Sequence, residues 1–218
     1  MKKIVVIVVV LVLLVAILGG LAYADMRVRH VVEEHARAKI TETLPQAQGV
    51  GVEIDGFPFV LGVLMSGEVE ALHVTVDAVE EQGLRATELS LHVESIQLDT
   101  DALLDESRLV VTGIGRATAE GFVSDDEVSK LSGHTVEFGA GTARAEVQGQ
   151  VIEAAASIQG RLVFLSSNLE GVPPLMFPLP SSELLPCAPQ AELMPGKIRL
   201  ACSVTELPAA LRDAMAQR

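Results

Sequence analysis

Apolar positions along this chain change rhythm twice. Ile4 to Leu18 runs fifteen residues without a polar side chain, and Gly19-Gly20-Leu21-Ala22-Tyr23-Ala24 extends the uncharged stretch to Asp25. From Met26 to Leu44 the apolar residues recur every four positions, at Val28, Val32, Ala36, Ile40 and Leu44, with Val31 beside them. That period predicts an amphipathic helix, with Arg29–Glu33 and Glu33–Arg37 as i,i+4 ion pairs and Pro45 as its stop. Its mixed-charge polar face favours packing on a sheet over lying on lipid.

From Val50 onward the period is two. Val50, Val52 and Ile54 alternate, followed by Gly56-Phe57-Pro58-Phe59-Val60-Leu61-Gly62-Val63-Leu64-Met65. Leu72, Val74 and Val76 oppose His73, Thr75 and Asp77, as in a half-buried strand. Leu89, Leu91 and Val93 share a face, and the apolar phase then slips to Ile96 and Leu98, which a bulge near Glu94–Ser95 would produce. Further strands are expected at Leu109–Ile114, Val136–Val147, Val151–Ile158, Arg161–Leu165 and Ile198–Val204. Ser124-Asp125-Asp126-Glu127 is a capping box that opens a short helix to about Leu131. The four prolines between Val172 and Pro180 exclude a central strand there, and a last helix is expected at Pro208–Ala216. The fold class is therefore α+β: one long helix, then seven or eight strands with small helical inserts.

Composition changes this picture at the N-terminus. Lys2 and Lys3 precede the apolar run, and Ala22-x-Ala24 stands before Asp25. Residues 1–24 thus read either as a cleaved secretory signal or as a retained signal-anchor, because twenty-one uncharged residues at about 1.5 Å each also span a hydrocarbon core of roughly 30 Å. Both readings place residues 25–218, one domain by size, outside the cytoplasm. The whole chain holds 16 basic and 29 acidic side chains, net −13; without Lys2 and Lys3 it holds 14 against 29, net −15. So acidic a domain is a poor partner for nucleic acid and cannot hold an anionic membrane by charge alone. Cys187 and Cys202, the only cysteines, suit a single disulfide in an oxidising compartment; the alternative is two buried free thiols.

Catalytic signals are weak. His30 and His35 flank Glu33-Glu34, but their spacing of five separates the rings by about 140° on a helix, so they do not form a zinc-protease pair. Gly113-Ile114-Gly115 half-matches a dinucleotide loop without the βα units that such a site needs, and suits a bent strand instead. No Ser/His/Asp set stands out, His73 and His92 sit opposite apolar stripes, and no cofactor or metal is called for. Two charge-poor segments do stand out. One runs from Phe57 to Gly67, the other from Gly171 to Ser182 with Leu175, Met176 and Phe177 among its prolines. They are either loops tucked over the core or an apolar mouth for acyl chains, with Met65 and Met176 as adaptable lining.

The residues Ala24-Asp25, the helix after them, Val52-Glu53-Ile54-Asp55-Gly56-Phe57-Pro58-Phe59 and Gly67-Glu68-Val69 resemble the signature of the DUF2993 family, which includes LmeA-type phospholipid-binding cell-envelope proteins. The similarity of organisation covers about residues 20–205, and Cys187 and Cys202 resemble a cysteine-bearing subset. The resemblance implies a non-enzymatic protein that binds phospholipid. It also implies a long curved, mainly antiparallel sheet wrapped around the N-terminal helix, as in tubular lipid-binding (TULIP-like) domains. No binding residues carry over from the family. Phe57 and Phe59 are chosen as matched motif positions with an apolar rationale, Val60, Leu61, Leu64 and Met65 as the entrance beside them, and Leu175, Met176 and Phe177 as its closure. The partners expected are phospholipid acyl chains, and a membrane through the N-terminal segment. The alternative is a structural or partner-binding envelope module without lipid.

Overall fold

The structure, a computed structural model, describes residues 2–81, 83–105, 110–147, 149–159, 162–167, 174–178, 187 and 189–206. The side chains of residues 2–19, 21, 81, 103, 104, 147, 158, 159, 175, 177 and 178 are not among those described. The first helix does not begin at Met26. α1 runs unbroken from Lys2 to Thr43, so the apolar run and the amphipathic helix share one axis. Among the described residues no helix is long and apolar enough to cross a membrane; the side chains of Ile4–Leu18 are outside that description.

After α1 come β1 (Ala47–Asp55), α2 (Phe59–Ser66), β2 (Glu68–Glu81), β3 (Leu84–Leu98), α3 (Thr100–Asp105), β4 (Val111–Gly113), β5 (Arg116–Ser124) and α4 (Asp125–Ser132). The remaining strands are β6 (Val136–Phe138), β7 (Ala143–Val147), β8 (Gln150–Gln159), β9 (Leu162–Ser167), β10 (Leu175–Pro178), β11 (Gln190–Met194) and β12 (Lys197–Val204). They form two open sheets whose neighbours are all antiparallel. One is ordered β1-β2-β3-β5-β12-β11, with β4 also on β3; the other is β10-β9-β8-β7-β6. The class is α+β as expected, with twelve strands among the described residues rather than seven or eight.

The strand expected at Val136–Val147 is a hairpin, β6 and β7, because Gly139-Ala140-Gly141 turns the chain. The proline-bearing segment around Leu175 is an edge strand, where a missing ladder donor is tolerated. The helix expected at Pro208–Ala216 lies outside the described residues.

The two longest strands, β2 and β3, serve two cores. One end of each packs against the second sheet and α4: Val79, Val123, Val128, Val163 and Ile198 are almost wholly enclosed there. The other end joins Ile54, Val63, Val69, Val93 and Ile96 in a smaller core beneath α2. Serving both demands a bent strand. Ser95 adopts φ 52°, at the phase slip read from sequence, and Gly115 N–H bonds both Glu94 and Ser95 carbonyls at 3.0 and 3.1 Å. The Gly-x-Gly pair is therefore part of this bend: a Cβ on Gly115 would stand 2.9 Å from that of Ser95. A second bend, not anticipated, falls at Glu88 (φ 51°), where the β3–β5 register shifts between Thr87 and Ser90. α4 opens at the expected N-cap, with Ser124 Oγ accepting from Glu127 N–H at 3.3 Å, while the Glu127 carboxylate pairs with Lys130.

Cys187 and Cys202 are bonded, with a Cα separation of 5.8 Å. The bridge ties the approach to β11 onto β12, which is paired with β5. Replacing both cysteines by serine is expected to lower the unfolding free energy by about 3 kcal/mol for a loop of this size. Urea denaturation followed by circular dichroism checks it; an unchanged midpoint would mean that the loop is already ordered without the bridge.

Candidate functional site

The charge-free run after Gly56 forms α2, a helix that lacks a cap of its own. Its N-cap is Pro58, whose ring offers no acceptor. The acceptor comes from Asp25, thirty-odd residues earlier on α1: Oδ2 takes Phe59 N–H at 3.1 Å and Oδ1 takes Val60 N–H at 2.7 Å. A buried carboxylate at a helix N-terminus satisfies two orphan donors and meets the positive end of the helix dipole. Gly56 (φ 109°) turns the chain into the cis Phe57–Pro58 step. Gly67 ends α2 at φ 64° and packs so closely on the Leu98 carbonyl that a Cβ there would lie 3.0 Å away. Asp25, Gly56, Pro58 and Gly67, separate in the signature, thus build one local structure.

α1 is fastened to the sheet by the same row of polar side chains. Arg29 reaches Asp25 at 3.3 Å and the Ile54 carbonyl at 3.4 Å, and Glu33 accepts Ile54 N–H at 2.9 Å. Ile54 lies on β1, the edge strand, so Arg29 and Glu33 stand in for a missing neighbour strand. This corrects the expected Arg29–Glu33 ion pair: both side chains are used outward, against Asp25 and the β1 backbone.

The apolar row of α1 does not close onto the sheet. Val28, Val32 and Ala36 line one wall of an open cleft of about 410 Å³. Phe59, Val60, Val63 and Leu64 of α2 form its roof, and Ile54, Val69, Leu72, Ile96, Leu98 and Val111 its floor. Every lining residue is apolar. The expectation that the sheet wraps the helix is therefore not what is seen: the sheets are open, α1 lies along β1, and Val28 and Val32 stay 45% and 38% exposed.

α2 divides the expected site residues by face. Phe59, Val60 and Leu64 look into the cleft, together with Val63, which sequence reasoning did not single out although it lies one helical turn from Phe59. Phe57, Leu61 and Met65 line an outer depression of about 510 Å³, which shares Phe59 and Val69 with the cleft and is also lined by Asp55, Glu68 and Glu70. Met176 is exposed on β10 and lies outside the described lining of the cleft; the side chains of Leu175 and Phe177 are not described. Val28, Val32 and Ala36 were legible as an apolar stripe, but a helical period does not say whether the stripe is covered.

Polar clusters elsewhere are internally paired. Arg199 donates to Glu120 at 2.7 and 3.0 Å and to Glu192 at 3.2 Å. His73 and His92 stack across strands at 4.0 Å, facing Asp55 and Glu94 respectively. Among the described residues no group of three or more His, Cys, Asp or Glu is placed to hold a metal ion.

Burial works against the charge on Asp25, yet the Val60 and Phe59 amides and the Arg29 guanidinium outweigh it, so the carboxyl lies below the ordinary Asp value. A depressed folded-state pKa contributes stability that is complete above the unfolded value near 4 and fades as pH falls through the folded value. Asp25→Ala, which removes the cap and leaves Arg29 without its carboxylate partner, is expected to cost about 1–2 kcal/mol at pH 7. The difference from the parent chain should narrow below pH 4. Thermal unfolding at pH 3, 5 and 7 checks both; a pH-independent difference would sink the assignment.

Comparison with known proteins adds one match. No curated protein and no solved structure is significantly similar to this chain. The model of the LmeA-like phospholipid-binding family matches residues 24–215, from the residue before Asp25 to beyond β12. The chain belongs to that family.

Proposed function

We propose that the cleft between α1, α2 and the larger sheet holds an acyl chain of a phospholipid, and that the protein binds such lipids without chemical conversion in the cell envelope. The observation that carries this reading is a cleft lined entirely by apolar residues and left open to solvent. Water gains little there, since it finds no polar partner. Each methylene that replaces it contributes about 0.8 kcal/mol, so a chain of a dozen carbons supplies on the order of 10 kcal/mol before losses of freedom. The volume is that of an ordinary small-molecule site.

Membership of the phospholipid-binding family supports the same ligand class. The disulfide supports an oxidising, extracytoplasmic setting. The division into an address at residues 1–24 and a single lipid-binding domain at 25–218 fits a family match that begins at residue 24. Phe59, Val60 and Leu64 then contact the acyl chain from above. In the rival reading, a partner-binding module, the cleft is empty of lipid.

The test uses a wall that folding does not need buried. Val32→Asp, on the exposed wall of α1, is expected to reduce co-purified phospholipid at least tenfold while shifting Tm by no more than about 2 °C. Val151→Asp, at an exposed site on β8, should change neither. Native mass spectrometry with lipid extraction reads the result. Absence of lipid from the parent chain after detergent-free purification would favour the rival.

A further inference from the structure

The outer face of α2 is unexplained by a lipid in the cleft. Phe57, Leu61 and Met65 point away from it and are 68%, 46% and 83% exposed. Residues 57–67 carry no charge, so α2 is apolar on both sides. A short helix apolar all round needs a second apolar partner beyond the core that it covers.

The position of α2 on α1 identifies that partner. Asp25 is the first charged residue after the uncharged stretch from Ile4, and its carboxylate holds the first amides of α2. α1 continues unbroken through this point. Residues 4–24 of such a helix extend about 31 Å, the thickness of a hydrocarbon core. With that run in a membrane, Asp25 stands at its boundary and α2 is bonded at the same level. Tyr23 and Met26, both exposed, flank the same turn of α1. The Tyr23 hydroxyl accepts from Arg27 at 2.8 and 2.9 Å, and tyrosine is among the residues enriched at both membrane–water interfaces.

We propose that the outer face of α2, through Leu61 and Met65 and with Phe57 of the preceding turn, docks into the interface of the bilayer from which α1 emerges. Charge selects among bilayers. Asp55, Glu68 and Glu70 edge this face and the chain is net −13, so insertion depends on apolar contact and favours zwitterionic over anionic headgroups. The inference does not require the cleft to be loaded.

The chain has no tryptophan, so a single introduced one is an unambiguous probe. Full-length Leu61→Trp, and separately Met65→Trp, would be reconstituted into phosphatidylcholine vesicles with or without brominated acyl chains. Docking predicts blue-shifted emission and at least twofold quenching by the brominated lipid for both. Val151→Trp on β8 should emit as in water and remain unquenched. Emission at positions 61 and 65 like that of position 151 would overturn the proposal. So would a blue shift without quenching, which would assign the face to a protein partner or a second copy. Quenching that persists after exchange into unbrominated vesicles would overturn it in favour of lipid held in the cleft.

Discussion

Everything around the cleft depends on one helical row, Asp25, Arg29 and Glu33, spaced four residues apart and spent on the backbone of other elements. A helix laid over a sheet normally gains by pressing its apolar row flat against it. Here the polar row, about 100° around the axis from Val28, Val32 and Ala36, reaches its partners first. Asp25 satisfies α2, while Arg29 and Glu33 satisfy both backbone groups of Ile54. α1 is thereby held at the sheet edge, and its apolar row is left facing Leu72, Ile96 and Leu98 across a gap. Were those bonds absent, collapse of the two apolar surfaces would be downhill. The cleft is a consequence of where the hydrogen bonds go.

The same row explains why α2 can exist. An eight-residue helix with no charge, a proline at its N-cap and a glycine inside is far below the length at which isolated helices hold in water. Its stability comes from Val63 in the small core, Gly67 packed on the end of β3, and a carboxylate supplied from outside. Removing water from that carboxylate is costly, and three donors repay it. Folding of α2 and seating of α1 are in this sense one event.

What was legible from sequence was local. The period of two marked the half-buried strands, the Ser124–Glu127 box marked α4, and the phase slip at Glu94–Ser95 marked a backbone bend that Ser95 adopts. What was not legible was tertiary. The cap of α2 comes from a residue thirty-four positions away, so Phe59–Ser66 offered no helix start signal of its own. Arg29 and Glu33 have ideal spacing for each other, and nothing in a helical wheel announces that a strand edge will outbid that pair. The bend at Glu88 was hidden because Leu84 and Ala86 are too few to establish a phase before it changes. Among candidate site residues, the charge-free segment from Phe57 folds as one turn and helix, ended by Gly67. Its division into Val60 and Leu64 on the cleft and Phe57, Leu61 and Met65 on the outer depression, with Phe59 bordering both, needed the helix.

Charge organises the rest. A strongly acidic chain repels anionic surfaces, yet its most exposed apolar helix is uncharged and stands at the end of an uncharged stretch. Distributing acids over the sheets while excluding them from α2 and the cleft separates the charged surface from the apolar one. The two kinds of surface then need not compromise each other, because each occupies area that the other leaves alone. α2 borders both the cleft and the outer depression, as β2 does through Val69, and it is bonded at both ends, to Asp25 at its first turn and through the Gly67 carbonyl to Leu98 N–H at 2.7 Å. Held at both ends, α2 keeps its apolar faces in place between the two hollows although it carries no charged side chain of its own.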